Sequence, residues 1–273
     1  IGKYTFDDSF NNKHINKVLN LKLVNVDLVK SAGFKVVLDA VNSTGGLIIP
    51  SLLEKMGVEC IKLFCEPNGN FPHNPEPLPE NLTEISKLVV AEQADFGIVV
   101  DPDVDRLALV CEDGSMFGEE YTLVAVSDYV LSKTPGNTVS NLSSTRALRD
   151  VTNKYNGTYQ ASSVGEVNVV EKMKESNAII GGEMSGHLFF ADNYFGYDDA
   201  IYASLRLAEL ISDTNKTLST LIEEIPTYFS SPEIRIQCNN DEEKFIITDK
   251  LVNYFKSKYD CNCIDGVKIK FHN

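Results

Sequence analysis

The sequence predicts an α/β protein with two consecutive α/β domains, followed by a truncated C-terminal α+β segment. Short β-branched runs alternate with helical patterns, this alternation restarts near Gly118, and the chain has 273 residues. A chain of this length exceeds the usual size of one compact domain. We therefore expect domains at residues 1–117 and 118–230, and a segment 231–273 that is too short to build its own core.

The first domain is predicted from a strand, helix, strand pattern that follows a polar opening stretch. Its first strand is a short apolar run of the kind that is covered on both faces, and Gly57 introduces the second strand. A proline-rich stretch can be neither helix nor central strand, and Asn81 is expected to cap the helix after it. The predicted order is strand 34–41, helix 47–56, strand 58–64, loop 65–79, helix 82–93, strand 94–100 and a strand from 107.

The second domain is predicted from a repeat of the same alternation, with turn signals at Pro135-Gly136 and Asn156-Gly157. The segment after it offers one strand, one amphipathic helix and a final strand after Asp265-Gly266. The predicted order in the second domain is helix 119–132, strand 137–142, helix 144–154, strand 158–161, helix 165–175, strand 178–181 and helix 198–212.

Composition and charge exclude several classes of function. A net charge of −14 argues against nucleic acid as the main partner, because binding DNA or RNA phosphates needs a basic surface. No apolar run is long enough to predict a membrane span. The six cysteines lack paired CxxC spacing, so we expect reduced thiols and a cytoplasmic protein. The chain starts at Ile1 without a signal sequence, which favours an origin inside a longer parent, and no heptad pattern predicts an oligomeric state.

A group of three carboxylates follows the predicted strand 94–100. Asp101, Asp103 and Asp105 occupy alternate positions, and Pro102 disfavours a helix there. Oxygen ligands on a short loop suit Mg²⁺, which keeps positions open for phosphate oxygens. Arg106 comes next and can bind a phosphate through two oxygens and neutralise its charge. The spacing therefore predicts a metal site next to an anion site.

The spacing also leaves three other interpretations open. Asp and Pro are ordinary turn residues, so the stretch could be a solvated acidic turn. The three aspartates and Glu112 match EF-hand positions, although Arg106 stands where that loop needs glycine and strands are expected on both sides. In a phosphatase of the haloacid dehalogenase kind, Asp101 would be the nucleophile and Asp103 the acid and base, but the third aspartate and the arginine fit that pattern poorly.

A second polar motif, Gly182-Glu-Met-Ser-Gly-His187, places a carboxylate, a hydroxyl and an imidazole at alternate residues. Glu183 can accept hydrogen bonds from two sugar hydroxyls, Ser185 can donate or accept, and His187 can bind and move a proton near neutral pH. The flanking glycines let a ligand approach the backbone. The alternative is a hairpin whose polar groups bond only to its own backbone.

The two motifs together resemble the metal-binding loop and the sugar-binding loop of the α-D-phosphohexomutase superfamily, in the phosphomannomutase/phosphoglucomutase type. They occur in the family's order and are separated by a domain-sized interval. The resemblance covers most of residues 20–235, and it implies the second and third domains of a four-domain enzyme plus the start of the fourth, with mixed sheets flanked by helices. Other similar segments are 37–42, 71–79, 164–170 and 194–199.

This resemblance implies an intramolecular phosphotransferase, in which a phosphoserine exchanges its phosphoryl group with a hexose 1-phosphate or 6-phosphate. A hexose 1,6-bisphosphate would be the intermediate and activator, the partner would be a small sugar phosphate, and one Mg²⁺ would be needed. The implied metal ligands are Asp101, Asp103 and Asp105, the implied catalytic residues are Arg106 and His187, and the implied sugar ligands are Glu183, Ser185 and His187.

The sequence departs from the family pattern at the nucleophile. The family's serine loop has its nearest match in Pro72-His-Asn-Pro75, where proline stands in place of serine, and the phosphate-binding loop of the fourth domain is missing. We therefore expect a mutase fragment that is inactive alone. Met184 and residues 194–199 favour the phosphomannomutase/phosphoglucomutase type. The alternatives are a phosphoglucosamine mutase, or a non-catalytic module that binds a metal or a sugar phosphate.

Overall fold

The structure is a computed structural model that describes residues 2–191, 194–231, 234 and 236–271. Its first α/β unit contains four strands and four helices. The strands are β1 (Lys35–Asp39), β2 (Glu59–Leu63), β3 (Phe96–Val100) and β4 (Leu107–Cys111), and the helices are α1 (Phe10–Leu19), α2 (Val26–Ala32), α3 (Gly45–Lys55) and α4 (Thr83–Glu92).

The sheet of the first unit has the order β2-β1-β3-β4. Strands β2, β1 and β3 are parallel, and β4 is antiparallel to β3. The apolar run of β3 is buried at every position, as expected for a strand that is covered on both faces. Because parallel strands end at one edge, the turn after β1 and the acidic loop 101–106 after β3 lie side by side.

The second unit repeats this plan. Its sheet has the order β6-β5-β7-β8, in which β6, β5 and β7 are parallel and β8 is antiparallel to β7. The strands are β5 (Asn137–Asn141), β6 (Tyr159–Ser162), β7 (Ala178–Gly182) and β8 (Leu188–Phe190), and the helices are α5 (Glu119–Lys133), α6 (Ala147–Lys154), α7 (Glu166–Ser176), α8 (Ala200–Thr214) and α9 (Leu218–Glu224).

Helix α8 packs the two units against each other. All of its residues from Ala200 to Ile211 are buried, and it contacts α2 and α3 of the first unit as well as α5 of its own. A helix that is covered on all sides belongs to a core. The Asp199 carboxylate caps it by accepting hydrogen bonds from the backbone N–H groups of Ile201 at 2.8 Å and Tyr202 at 3.2 Å. One continuous hydrophobic core therefore spans both units.

The C-terminal segment contains α10 (Asp241–Lys256) and a short antiparallel pair, β9 (Cys261–Asn262) and β10 (Lys268–Ile269). None of the α10 residues is buried. The segment contacts the second unit through polar bonds, such as the one from Ser163 Oγ to the Ile264 carbonyl at 2.9 Å. It has no hydrophobic core among the described residues, in agreement with its short length.

Several features differ from the sequence-based expectations. Helices α1 and α2 form where the sequence predicts only a polar opening stretch, and β8 and α9 have no counterpart among the predicted elements. Asn81 does not cap α4, because it lies in a 3₁₀ turn and its amide donates to the Glu76 carbonyl at 2.8 Å. Residues 234 and 236–240 have no regular structure, and the remaining residues from 232 to 235 lie outside the described part.

Two chain-wide properties complete the description. No helix in the described part is both long and apolar enough to cross a membrane. All six cysteines are free thiols.

Candidate functional site

The acidic loop leaves β3 and turns back on itself around the buried Asp101. The Asp101 Oδ1 atom accepts hydrogen bonds from the backbone N–H groups of Asp105 and Arg106, each at 3.2 Å. This arrangement brings Asp103 and Asp105 close to Asp101, so that one ligand atom from each carboxylate lies within 4.8 Å of the others. The three predicted metal ligands therefore form one cluster.

Burial and mutual repulsion set the charge of this cluster. Burial, followed by the charge of Asp105, raises the pKa of Asp101 to about 7. The His187 imidazole lowers the pKa of Asp105, so the pair holds one proton near neutral pH. The Arg106 Nε lies 3.6 Å from Asp101 Oδ2. Within the described part, Asp105 Oδ1 is buried without a hydrogen-bond partner, as expected for an oxygen that binds a cation.

The second motif forms the connection between β7 and β8. Glu183 is 5% exposed, and its Oε1 accepts hydrogen bonds from Gly165 N at 2.7 Å and from Asn141 Nδ2 at 3.2 Å. These bonds come from other segments, so the carboxylate does more than serve its own hairpin. Ser185 Oγ lies 2.8 Å from His187 Nδ1, which orients the imidazole. Glu183 Oε2 lies 3.6 Å from the same Nδ1, so carboxylate, hydroxyl and imidazole lie next to one another, as hydroxyl recognition requires.

The two loops are in direct contact. Arg106 and His187 form an isolated antiparallel bridge, and Leu107 N donates to the Gly186 carbonyl at 3.1 Å. Gly186 has φ +90°, and a Cβ there would lie 2.9 Å from the Leu107 carbonyl oxygen, so only glycine fits. His187 Nε2 lies 3.5 Å from Asp105 Oδ1. The structure thus brings all seven predicted site residues together at one junction.

Asp198 is a site residue that the sequence did not reveal. One of its carboxylate oxygens lies within 4.8 Å of ligand atoms of Asp105 and His187. Burial, followed by Glu166, raises the pKa of Asp198 to about 6. Burial alone would lower the pKa of His187, but Asp105 and then Asp198 outweigh it and raise that pKa. The only sequence signal was that Asp198 belongs to the stretch 194–199 used for the family resemblance.

The geometry contradicts two of the alternative interpretations. Asp101 is 7% exposed, which excludes a solvated turn. The loop runs between β3 and β4, whereas an EF-hand loop joins two helices. Glu112 accepts a hydrogen bond from Ser219 N at 3.3 Å and lies outside the carboxylate cluster.

Comparison with known proteins places both units in one family. Residues 12–114 match the family model described as phosphoglucomutase/phosphomannomutase, alpha/beta/alpha domain II, and residues 118–229 match alpha/beta/alpha domain III. A phosphomannomutase/phosphoglucomutase of Pseudomonas putida is 36% identical over 251 residues, which are 90% of this chain and 54% of the relative. A probable phosphoglucosamine mutase of Methanopyrus kandleri is 31% identical, over 98% of this chain and 58% of the relative.

Solved structures give the same result. A phosphoglucomutase/phosphomannomutase family protein from Burkholderia thailandensis superimposes with a TM-score of 0.85 and 30% identity, over 99% of this chain and 57% of that one. An Aspergillus fumigatus N-acetylphosphoglucosamine mutase, solved in complex with GlcNAc-6P and magnesium, shares the fold at 13% identity and a TM-score of 0.53, over 74% of this chain and 51% of that one.

This chain spans about half the length of the curated relatives it matches. Within that half, the matches cover both α/β units, including the acidic loop and the Glu183 loop. The chain therefore belongs to the phosphoglucomutase/phosphomannomutase family of the α-D-phosphohexomutase superfamily.

Proposed function

We propose that this chain is the central part of a phosphomannomutase/phosphoglucomutase, which interconverts hexose 1-phosphate and hexose 6-phosphate. In this proposal a phosphoserine outside the chain donates the phosphoryl group, and a hexose 1,6-bisphosphate is the intermediate. The observation that carries it is the contact between the two loops, with His187 Nε2 3.5 Å from Asp105 Oδ1. A cation cluster and a hydroxyl-binding group are then close enough to act on one sugar phosphate.

The acidic loop fits a single Mg²⁺ held by Asp101, Asp103 and Asp105. Three oxygen donors on a short loop suit this ion. The buried Asp105 Oδ1 lacks a hydrogen-bond partner in the described part of the chain, and His187 Nε2 lies 3.5 Å from it. When bound, Mg²⁺ would neutralise charge on the phosphoryl oxygens. The related Aspergillus enzyme in complex with magnesium supports this choice of ion.

Arg106 would bind the phosphoryl group during transfer. Its guanidinium lies next to Asp101 and is 32% exposed, so it is held on one side and can donate to phosphate oxygens on the other. Spreading positive charge around the moving group is the main contribution that a protein makes to phosphoryl transfer.

The Glu183 loop would hold the sugar. Glu183 Oε1 is already occupied by Gly165 N and Asn141 Nδ2, which fix the carboxylate so that Oε2 can accept from sugar hydroxyls. Ser185 and His187 add a hydroxyl and an imidazole at 2.8 Å from each other. Against the effect of burial, Asp105 raises the pKa of His187, which favours the protonated imidazole as a donor to a sugar oxygen.

We also propose domain boundaries after residues 117 and 230, with residues 231–273 as the incomplete start of a further domain. Gly118, at φ +87°, is the residue that precedes α5, where the second unit begins. The absence of a core around α10 in the described part agrees with an incomplete domain.

Mutase activity of the full-length parent protein tests the proposed function. With Mg²⁺ and a hexose 1,6-bisphosphate as activator, we expect turnover of mannose and glucose 1-phosphates to the 6-phosphates. The 273-residue chain alone is expected to bind Mn²⁺ and glucose 1,6-bisphosphate without turnover. A parent that neither turns over these substrates nor binds the bisphosphate would refute the proposal, as would turnover by the isolated chain at the parent's rate.

Two alternatives have separate outcomes in the same experiment. The match to the Methanopyrus kandleri relative keeps phosphoglucosamine mutase as a second candidate, and preferred turnover of glucosamine phosphate would favour it. A hydroxyl that distinguishes these sugars contacts few residues, so substrate choice has to be measured. A parent that binds sugar phosphate but lacks a phosphorylatable serine would be the non-catalytic module.

A further inference from the structure

The turn after β1 contacts the acidic loop through two hydroxyl groups. Ser43 Oγ donates to the Pro102 carbonyl oxygen at 2.7 Å, and Thr44 Oγ1 donates to the same oxygen at 2.8 Å. A carbonyl oxygen has two lone pairs, so these two donors saturate it. Gly45 follows directly, and a Cβ on it would lie 2.6 Å from a Val100 methyl group. The turn is therefore packed against the point where β3 becomes the acidic loop.

The Val104 carbonyl, two residues further along the loop, is bonded to the second unit. Ala200 N, at the start of α8, donates to the Val104 carbonyl oxygen at 3.1 Å. Val104 has φ +67°, a left-handed conformation that a β-branched residue adopts only when its surroundings impose it. The backbone of the loop is thus kept in an unfavourable shape by contacts from outside it.

These two contacts act on the peptide planes that carry the metal ligands. The Pro102 carbonyl belongs to the same planar peptide unit as Asp103 N, and the Val104 carbonyl belongs to the same unit as Asp105 N. Fixing each oxygen therefore fixes the direction in which the following aspartate leaves the backbone. This matters most for Asp103, which is exposed and has no side-chain hydrogen bond among those of the described residues. Without the contacts, repulsion between the three carboxylates would spread the loop.

We propose that Ser43 and Thr44 are positioning residues for the divalent cation, because they hold the Pro102 carbonyl and so keep Asp103 directed at Asp101 and Asp105. This inference rests on the cation site proposed above. The two hydroxyls are bonded to a backbone carbonyl and are not proposed as ligands of the ion. They increase the fraction of the protein whose loop is ready to bind it, and the apparent affinity rises with that fraction.

The test is Mn²⁺ binding by the complete 273-residue chain, followed by electron paramagnetic resonance. In Ser43→Ala/Thr44→Val both hydroxyls are lost while the shape at position 44 is kept. One hydrogen bond contributes about 1 kcal/mol, or roughly fivefold in an equilibrium constant, so we expect the Mn²⁺ Kd to rise at least tenfold in the double variant. Thr44→Ser keeps the hydroxyl and should stay within about twofold of the wild type.

Two further readouts separate positioning from a general loss of structure. Ser31→Ala is the matched control, since Ser31 Oγ also donates to a backbone carbonyl, that of Leu28 at 2.7 Å, but far along the chain from the loop. It should leave the Mn²⁺ Kd unchanged. Amide exchange of the metal-free protein gives the second readout. The Asp105 N–H, which is bonded to Asp101, should exchange faster in the double variant while the β3 amides do not.

The outcomes distinguish this inference from the function on which it rests. If the wild type binds no Mn²⁺, the cation site itself is wrong. A second outcome overturns only the positioning role: the wild type binds Mn²⁺, Asp103→Asn abolishes this binding, and the double variant still binds with a Kd within twofold of the wild type. Should the double variant fail to fold, Ser43→Ala alone has to raise Kd several-fold, and an unchanged Kd there overturns the positioning role as well.

Discussion

Replacing Asp101 by Asn should stabilise the metal-free protein, and the gain should grow with pH. Asp101 is 7% exposed and lies beside Asp105, whose pKa is lowered and which therefore keeps its charge. The asparagine Oδ1 can still accept the N–H groups of Asp105 and Arg106, so the turn of the loop is preserved. What the substitution removes is a buried carboxylate that is costly to ionise.

The magnitude follows from the pKa of Asp101, which rises from 3.8 to about 7 on folding. An acid with a raised pKa binds more protons in the folded than in the unfolded state, so its cost to stability grows as pH rises from 3.8 to about 7 and is constant above. At about 1.4 kcal/mol per unit, the upper bound is roughly 4 kcal/mol. The attraction of Arg106 is already part of that pKa, and relaxation of the loop around the ionised carboxylate makes the realised cost smaller than this bound. We therefore expect a gain of roughly 2–3 kcal/mol at pH 8 and at most about 1 kcal/mol at pH 5.

Urea unfolding in the presence of EDTA, followed by circular dichroism at pH 5 and pH 8, measures this difference. Asp103→Asn is the control, because that side chain is exposed and its replacement should change stability by less than about 0.5 kcal/mol at either pH. Added Mg²⁺ should raise the unfolding midpoint of the wild type and leave both variants unchanged, since binding stabilises only a protein with an intact site.

The result that would refute this reasoning is an Asp101→Asn protein that is equally or less stable than the wild type at pH 8. Asp101 would then be ionised and stabilised by Arg106, and the carboxylate cluster would have no shortage of positive charge. A gain of the same size at pH 5 and pH 8 would also contradict it, because the effect would then come from packing and not from a proton.

Three further predictions concern the same site. The Mn²⁺ Kd of the wild type should be about tenfold higher at pH 6 than at pH 8 and should stay constant above pH 8. The reason is that the Asp101 proton, with a pKa of about 7, must leave before the ion binds. In the parent enzyme, Asp103→Asn should abolish turnover whereas Glu183→Gln should mainly raise KM, and equal, mild effects in steady-state kinetics would contradict these roles. Gly182→Ala should lower the free energy of unfolding by about 1–3 kcal/mol in thermal unfolding, because the new Cβ would lie 2.5 Å from the His187 carbonyl oxygen. Gly2→Ala is its control, since a Cβ at that position has no atom within 4 Å.

The strands and helices around the two sheets could be predicted because their patterns are local. The run of β3 is apolar at every position, and the repeat after Gly118 corresponds to a second sheet of the same order. Helix α1 could not be predicted, because its sequence shows no clear apolar face. Only Ile15 and Val18 of its ten residues are buried, and five of the others are Asn or Lys. Its stability comes from packing against α3, which the sequence does not display.

For the site, too, the residues that are contiguous in sequence could be predicted and the residues that are distant in sequence could not. The acidic loop and the Glu183 loop are each contiguous, so their residue types and spacing favoured a cation site and a hydroxyl-binding site while leaving other interpretations open. The residues that support them lie far away in sequence, as in the pairing of Asn141 with Glu183 across 42 positions and of Ser43 with Pro102 across 59. Such partners follow from strand order and helix packing. Asp198 belongs to this group, because its position against His187 depends on the bridge between Phe189 and Asp198.

The repetition of the two sheets accounts for the meeting of the two loops. In each unit, one loop connects the third strand in the parallel set to the antiparallel edge strand, as 101–106 connects β3 to β4 and 183–187 connects β7 to β8. Arg106 and His187, the residues that bridge the units, are each the last residue before that edge strand. Equivalent positions of one sheet plan thus face each other, with the three aspartates and Arg106 on one unit and Glu183, Ser185 and His187 on the other. A site built this way requires both units to stay packed through α8, so it depends on the core as much as on the loops.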